Sequence, residues 1–443
     1  MRQQPSEGPK ICVIGAGPCG ITAAKNLIQQ GLTNFIVFEK SNQLGGNWVY
    51  DEQGEHSSIY ETTHIISSKY LSEYEDYPMP ADYPDYPSHT QLLKYFNDYA
   101  EHFGVNKFIR FNSTVEQVTR GNAEQWRVIY RDESGVHEAI FDYLLVANGH
   151  HWDPLMPSYP GKFTGELLHS HQYKKSAPFK NKRVLVVGGG NSACDVAVET
   201  ARVSTKTCIS MRSGQHIFPK FILGKATDIA FAKVSWMPLW CKQYFAAFMI
   251  RVLQGRYGKY KLKKPDTKPL AIHPTINSEL LYFIRHGKIF PRDGIERFDG
   301  NNVYFNDGSF EEFDTVIFAT GYKISFPFFS KELIDSSELK KQIPFYRKML
   351  HPKFNNLYFI GLFQPQGCIW PLADYQAKIA ANLIKGTLKN PSNLVKKIEK
   401  EVKKSSKIYK ETSRHALEVD YHKFRKQLLN ELGSVDNSFS QIL

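Results

Sequence analysis

A glycine-rich loop near the start of the chain places the strongest constraint on its fold. The loop has the spacing GxGxxG, with its glycines at Gly15, Gly17 and Gly20. It follows the apolar run Ile11–Ile14 and opens a helical pattern over 21–30. Gly15 allows a tight turn, Gly17 allows close approach of a pyrophosphate, and Gly20 allows close packing of the helix on the strand. A second apolar run ends in Glu39, at the spacing of an acid that binds a ribose diol. The stretch therefore predicts a dinucleotide-binding βαβ unit.

The same arrangement recurs in the middle of the chain. The run 183–187, which is apolar from Val184 onward, leads into a second loop of small residues, which contains Gly188, Gly190, Asn191, Ser192 and Ala193. Alanine at the third small position is permitted by the pattern. The next apolar run ends in Arg212 rather than in an acid, and an arginine there pairs well with the 2′-phosphate of NADP. The alternative for Arg212 is a solvated strand end. Two loops predict two nucleotides, a flavin at the first and a nicotinamide at the second.

These repeats predict the fold class and the domain organisation. We expect an α/β fold with two Rossmann-like dinucleotide-binding domains, the first with an inserted antiparallel β-meander. The first part of the FAD-binding domain is predicted at residues 1–170. The NADP-binding domain is predicted at 171–300, with a helical insertion at about 221–270. The second part of the FAD-binding domain and the C-terminal helices are predicted at 301–443.

Composition limits the classes of partner. The net charge of +12 admits a nucleic acid or an anionic membrane surface. Cofactor and substrate phosphates also favour a basic protein, and no recognition helix or zinc pattern is present, so we expect a small-molecule substrate and no nucleic acid. No run of 18 apolar residues occurs, so we expect no integral membrane segment. Residues 226–253 are apolar and aromatic but interrupted by charges. They predict a surface helix pair, with a substrate-entry lid or a membrane-contacting patch as alternatives.

The cysteines indicate a compartment and argue against one enzyme class. The six are scattered, at Cys12, Cys19, Cys194, Cys208, Cys241 and Cys368. They form no CxxC and no metal-ligand spacing, so we expect no metal site and a reducing, cytoplasmic location. A flavin disulfide reductase needs a redox cysteine pair, which is missing here. The first ten residues lack the apolar core of a signal peptide. The oligomeric state stays open, with a homodimer as one option.

Several motifs together resemble one enzyme family. The segment between the two loops carries FxGxxxHxxxY, at Phe163, Gly165, His169 and Tyr173. Other matches are GGxW over 45–48, GxGNSxxD over 188–195 and ATGY over 319–322. With these motifs the chain closely resembles the flavin-containing monooxygenases, which are class B flavoprotein monooxygenases. Further matches resemble their bacterial type II subgroup, among them HIISSK over 64–69, GHHWDP over 149–154 and HPTINSELL over 273–281. The resemblance implies further cofactor-binding residues, at Gly46, Asn47, Trp48, Thr320 and Gly321.

The resemblance also implies a reaction. It implies FAD, NADPH (with NADH accepted in some members) and O2, with one oxygen atom transferred to a sulfide or amine through a C4a-(hydro)peroxyflavin. Baeyer–Villiger oxygenation of ketones is the alternative reaction. A different class of function, a flavoprotein or NADPH sensor without enzymatic activity, is the other hypothesis. Most relatives carry an Asn beside the flavin where this chain has Ile66. Its role then falls to His64, Ser67, Ser68 or Lys69, or to bound NADP⁺ alone.

Overall fold

The chain divides into two compact units. The computed structural model describes residues 8–53, 56–340, 342–406 and 416–433. The first unit comprises the described parts of 1–49, 69–150 and 324–443. The second unit comprises those of 50–68 and 151–323. The chain therefore passes from one unit to the other four times.

A five-stranded parallel sheet forms the centre of the first unit. Its strand order is Leu357–Phe359, Tyr143–Val146, Ile11–Ile14, Phe35–Phe38 and Ile109–Arg110. The central strand Ile11–Ile14 is buried along its whole length. Burial on both faces explains why its sequence is a continuous apolar run rather than an alternating one. The loop Gly15–Gly20 leaves this sheet at its carboxyl edge, where open parallel sheets bind ligands.

The predicted meander is present in the first unit. Its three antiparallel strands are Thr114–Arg120, Trp126–Asp132 and Gly135–Phe141. Inward residues alternate with exposed ones, as expected of a sheet with one face in water. Trp126 is fully buried and contacts the rings of Phe329 and Phe354. The inner face thereby joins the core of the first unit.

The helices of the first unit pack around that sheet. They are Pro18–Gln29, His89–His102, Trp370–Lys385, Leu394–Ser406 and Tyr421–Leu432. The second of these begins at a capping box, in which the Ser88 hydroxyl accepts from the Gln91 N–H and the Gln91 side chain accepts from the Ser88 N–H. Between the first helix and Trp370–Lys385, the Lys25 ammonium lies 2.8 Å from an Asp76 carboxylate oxygen and 2.7 Å from one of Asp374.

The second unit repeats the plan of the first. Its parallel sheet has the order Ile289–Arg292, Lys206–Ser210, Arg183–Val187, Thr315–Phe318 and Glu166–His169. The helices Asn191–Ala201 and Leu280–Arg285 accompany it. An antiparallel sheet of Ile295–Asp299, Asn302–Phe305 and Phe310–Glu312 lies beside it. The predicted α/β fold with two Rossmann-like units is confirmed, while the predicted domain boundaries stay a prediction.

Short elements complete both units. Besides Ile109–Arg110, the two-residue strands are Asp153–Pro154, Ile217–Phe218, Phe221–Ile222, Lys225–Ala226, Thr275–Ile276, Tyr322–Lys323, Gln364–Pro365 and Glu418–Val419. Between Ile217–Phe218 and Thr275–Ile276, the second unit contains the helices Thr227–Ala232 and Leu239–Gln254. Among the helices of the described residues, none combines the length and the apolar character that crossing a bilayer requires.

Candidate active site

The first nucleotide loop is shaped by glycines that the protein itself requires. Gly15 has φ +100°, and a Cβ there would lie 2.7 Å from the Ala147 carbonyl oxygen. A Cβ on Gly20 would lie 1.8 Å from the Gly15 carbonyl oxygen. No side chain caps the helix that follows, Pro18–Gln29. Its amino-terminal N–H groups and dipole therefore remain suited to a phosphate.

A second glycine turn lies against this loop. Gly46 has φ +54°, and a Cβ on it would lie 2.9 Å from the Gly17 Cα. A Cβ on Gly17 would meet only ordinary contacts, the nearest at 3.5 Å. The protein alone therefore does not exclude a side chain at Gly17, and the role predicted for this glycine, close approach of a ligand, stays a prediction. Asn47 and Trp48 complete the turn, and the Trp48 ring packs edge-on against Trp370 at 5.6 Å.

The acid after the second strand braces the first loop. Glu39 is buried, and its Oε2 accepts from the Ala16 N–H at 2.8 Å. Its Oε1 accepts from the N–H and the hydroxyl of Ser41, at 2.9 and 3.0 Å. A carboxylate offers about four acceptor positions, so Oε2 retains one for a ribose hydroxyl. The geometry is compatible with the predicted ribose role, which stays a prediction.

The second nucleotide loop has a similar construction. Gly188 has φ +142°, and a Cβ there would lie 2.4 Å from the Ala319 carbonyl oxygen and 3.2 Å from the Ala193 Cβ. Gly190 caps the helix Asn191–Ala201 with extended backbone and no capping side chain. The Asn191 Oδ1 accepts from the Ile276 N–H at 2.7 Å, whereas Ser192 is exposed. The Asn191 side chain thus holds a neighbouring segment.

The strand end beside this loop carries an available cation. Arg212 follows the strand Lys206–Ser210 and is exposed. Its guanidinium makes no hydrogen bond or ion pair with any residue that the structure describes. The basic residues Arg292 and Lys263, by contrast, are paired with Glu311 and Asp293. A guanidinium that is not engaged by an acid suits a phosphate ligand.

The ATGY segment lies at the same edge of the second unit. It follows the strand Thr315–Phe318, the parallel neighbour of Arg183–Val187. The Thr320 hydroxyl donates to the Leu155 carbonyl at 2.6 Å, and Gly321 has φ +88°. The cofactor roles predicted for Thr320 and Gly321 stay predictions.

The FxGxxxHxxxY residues pack within the second unit. A Cβ on Gly165 would lie 2.6 Å from the Asp314 carbonyl oxygen and 2.7 Å from the Phe163 ring. The His169 Nδ1 accepts from the His171 N–H at 3.1 Å, and its ring contacts Tyr322. Burial lowers the pKa of His169 to about 4, so the ring is neutral at physiological pH. The fourth motif residue, Tyr173, is buried among aromatic rings.

The three predicted catalytic residues have different surroundings. His64, in the second unit, is exposed, and its Nδ1–H donates to the Thr62 carbonyl at 2.9 Å. Ser68 is buried in the same unit, and its N–H donates to an Asp228 carboxylate oxygen at 2.5 Å. Lys69 belongs to the first unit, where its ammonium donates to the carbonyls of Ala81 and Tyr83, at 2.9 and 2.5 Å. Their catalytic roles stay predictions.

The family of the chain follows from a comparison with known proteins. Residues 8–443 match the family model described as flavin-binding monooxygenase-like. The chain belongs to this family. The predicted family and the predicted enzyme class, a flavin monooxygenase, are thereby confirmed.

Relatives with printed names support the same family. Flavin-containing monooxygenase 5 of Rattus norvegicus is 34% identical to this monooxygenase, over 97% of this chain and 84% of that protein. Dimethylaniline monooxygenase (N-oxide-forming) 2 of Oryctolagus cuniculus is 31% identical, over 96% and 83%.

Solved structures share the fold of this monooxygenase. The S-allyl-L-cysteine S-oxygenase of Allium sativum has a TM-score of 0.70 at 21% identity and covers 96% of this chain and 89% of its own. The NADP⁺-bound cyclohexanone monooxygenase of Rhodococcus sp. Phi1 has a TM-score of 0.69 at 16% identity, with 97% and 98% covered. At these identities the likeness concerns the fold alone.

Sequence reasoning missed the polar contacts that hold this monooxygenase's second loop and the segment before Lys69. Asn277 donates to an Asp195 carboxylate oxygen at 2.6 Å, and the Tyr60 hydroxyl donates to the other at 2.9 Å. The Asp228–Ser68 contact joins residues 160 positions apart. No periodicity or local spacing marks such contacts, since their partners are brought together only by the fold.

Proposed function

We propose that the chain binds FAD at its first loop and NADPH at its second, and that it uses O2 to oxygenate a sulfide or an amine. The observation that carries the proposal is the exposed Arg212 guanidinium, which no acid engages, at the strand end beside a complete second nucleotide loop. A second nucleotide site is what a flavin monooxygenase needs in order to take its electrons from a nicotinamide.

The first loop fits a flavin dinucleotide. The close approach of Gly46 to Gly17 leaves backbone, rather than side chain, facing the amino-terminal end of the helix Pro18–Gln29. The N–H groups there bind the diphosphate, and the spare acceptor position of Glu39 binds the ribose. When bound, the flavin supplies two-electron transfer and the activation of dioxygen. The protein supplies binding and orientation.

The second loop fits a phosphorylated dinucleotide. The helix Asn191–Ala201 presents an uncapped amino end to the diphosphate, and the Arg212 fork can donate two parallel hydrogen bonds to a 2′-phosphate. NADH lacks that phosphate, so it loses this charge-assisted contact. We therefore propose NADPH as the preferred donor, with NADH accepted more weakly.

We also propose that His64 and Ser68 take over the role of the Asn that most relatives carry where this chain has Ile66. Ser68 is held at its backbone by Asp228, and the His64 Nδ1–H by the Thr62 carbonyl, which leaves Nε2 as the acceptor nitrogen. The Lys69 ammonium donates to the carbonyls of Ala81 and Tyr83, and we propose that its positive charge contributes to the same role.

The second candidate is Baeyer–Villiger oxygenation of a ketone. Lys69 follows Ile66 by three positions in the sequence, and nearby positive charge favours the deprotonated oxygen nucleophile that attack on a carbonyl requires. Sulfide and amine oxygenation instead needs the protonated form.

One experiment tests the proposal and ranks its two versions. The purified holoprotein is reduced by NADPH without oxygen, then mixed with O2 and either a thioether or a ketone. We expect the flavin absorbance to bleach with NADPH and to return with O2, together with sulfoxide formation. Ester without sulfoxide would make the second candidate the function. No bleaching, or hydrogen peroxide as the sole product with every acceptor, would contradict the proposal.

The proposal also covers the cellular location and the oligomeric state of the protein. All six cysteines are free thiols, which supports a reducing, cytoplasmic compartment. We keep the homodimer as a second proposal, with the mass of the purified holoprotein in solution as its measurement.

A further inference from the structure

The turn that carries Arg212 is packed against a segment from later in the chain. Gly214 follows Arg212 by two positions and is buried. A Cβ on Gly214 would lie 2.4 Å from the carbonyl carbon of Lys264 and 2.5 Å from the carbonyl oxygens of Lys263 and Lys264. The backbone of these two lysines therefore contacts the turn directly. Both lysines belong to the insertion predicted at about 221–270.

A second neighbour of the turn is the end of an adjacent strand. Gly294 follows the strand Ile289–Arg292, and a Cβ on Gly294 would lie 3.6 Å from the Arg212 Cα and 2.9 Å from the Asn306 Nδ2. Parallel strands place their carboxyl ends at one edge of a sheet, so this strand end and Arg212 share the edge of the second nucleotide loop. Arg212 thus has two neighbouring segments, the insertion and this strand end.

The basic side chains of these segments differ in their partners. Lys263 and Arg292 each form an ion pair with an acidic residue. Lys264 is exposed, and its ammonium makes no hydrogen bond or ion pair within the described part of the chain. Lys264 therefore resembles Arg212, whose guanidinium is also not engaged by an acid.

Two cations without acidic partners, on segments in contact, suit an anion of more than one charge. A phosphate monoester carries about −1.5 to −2 charges at pH 7 and offers three acceptor oxygens. The arginine fork can bind two of these oxygens, and the compact ammonium of a lysine suits the third.

We propose that Lys264 is a second ligand of the NADPH 2′-phosphate, beside Arg212, and that it contributes to the preference for NADPH over NADH. This inference rests on the proposed binding of NADPH at the second loop. It gives the insertion a part in the choice of electron donor, because the backbone contact at Gly214 holds Lys264 beside the turn.

The test measures binding rather than turnover. The purified holoprotein is titrated in a calorimeter with 2′,5′-ADP and with 5′-AMP, which differ by the 2′-phosphate alone. Wild type should bind 2′,5′-ADP at least about tenfold more tightly. Lys264→Gln should lower that affinity about fivefold, because a single exposed charged contact contributes up to about that factor. It should change the affinity for 5′-AMP less than about twofold.

Two further variants control for net charge and for the side chain itself. Lys288→Gln removes an exposed lysine just before the strand Ile289–Arg292, at the opposite edge of the same sheet, and should change both affinities less than about twofold. Lys264→Arg keeps the positive charge and should retain most of the affinity for 2′,5′-ADP. Circular dichroism and flavin content show that each variant is folded.

The outcomes separate this inference from the proposed function. If wild type favours 2′,5′-ADP and Arg212→Ala weakens its binding while Lys264→Gln behaves like Lys288→Gln, the assignment of Lys264 is overturned and NADPH binding stands. An equal loss of both nucleotides in Lys264→Gln would also overturn the assignment, because the lysine would then act on the part that the two nucleotides share. Equal affinity of wild type for both nucleotides would contradict the preference for NADPH itself, and this inference with it.

Discussion

At the scale of single residues, the first nucleotide loop separates two reasons for a glycine. Gly20 is required by the protein, because a Cβ there would lie 1.8 Å from a carbonyl oxygen. Gly17 has room for a methyl group within the protein, since the nearest atom to its Cβ would be 3.5 Å away. The sequence pattern marks both positions equally. The structure shows that the fold needs Gly20, whereas the need for Gly17 as a point of ligand approach stays a prediction.

This distinction predicts different outcomes for two alanine variants. Gly17→Ala should fold with nearly unchanged thermal stability in the absence of flavin. It should lose flavin affinity at least about tenfold, because the added methyl group would displace the diphosphate by about 1 Å, and a misplacement of that size costs an interaction at least this much. Gly20→Ala should be strongly destabilised by the clash. Thermal unfolding of the apoproteins and flavin titration measure the two effects. Equal apoprotein stability of the two variants would contradict this account.

Arg212 carries a second residue-scale prediction. Arg212→Ala should raise the KM for NADPH about tenfold or more and leave the KM for NADH nearly unchanged, because only NADPH has the phosphate that the guanidinium would bind. Steady-state kinetics with both donors measure the ratio. The control is Arg297→Ala, which removes a half-exposed arginine on the strand Ile295–Asp299 and should change neither value. An equal rise for both donors would remove Arg212 as the phosphate ligand.

At the scale of elements, the strands and the loops that follow them were predictable, and the contacts between distant segments were not. The runs before Gly15 and Gly188 are continuously apolar because both strands are buried on two faces. The inserted meander was predictable from its period of two. The contacts of Asp195 and Asp228 were not, because each joins segments with no shared local pattern. The same holds for the carbonyls that engage Lys69.

The buried ion cluster between two helices gives an element-scale prediction. Lys25 is fully buried between Asp76 and Asp374 and joins the helices Pro18–Gln29 and Trp370–Lys385. Lys25→Met should lower the free energy of unfolding by about 3–5 kcal/mol, because it leaves the buried Asp374 carboxylate without its counter-charge. Lys94→Met breaks an exposed pair with Asp98 and should cost about 0.5 kcal/mol or less. Chemical denaturation measures both, and similar losses would contradict the buried-charge argument.

At the scale of the whole molecule, each unit holds a buried histidine that the fold keeps neutral. Burial lowers the pKa of His169 and of His351 to about 4 from 6.5. Between those pH values the unfolded chain binds more protons than the folded one, so stability falls as the pH is lowered from about 6.5 towards 4. In each histidine Nδ1 accepts a backbone N–H, from His171 and Lys353 respectively.

Asparagine can reproduce that acceptor without titrating. His169→Asn and His351→Asn should therefore each reduce the loss of stability between pH 6.5 and 4.5, by about 1–2 kcal/mol at most. The thermal unfolding midpoint measured across this range checks the slope. A variant whose midpoint falls as steeply as that of wild type would exclude its histidine as a source of the pH dependence.

The bracing of the first loop has a practical consequence for handling the enzyme. Glu39 holds the Ala16 N–H, and the turn at Gly46 lies against Gly17, through contacts made entirely by the polypeptide. A binding loop that is already ordered in this way loses little conformational entropy when its ligand binds. Enzyme from which the flavin has been removed should therefore keep the conformation of its first loop. It should recover full flavin occupancy when it is simply mixed with the cofactor. The chain would then accept synthetic flavin analogues as reporters of its redox chemistry.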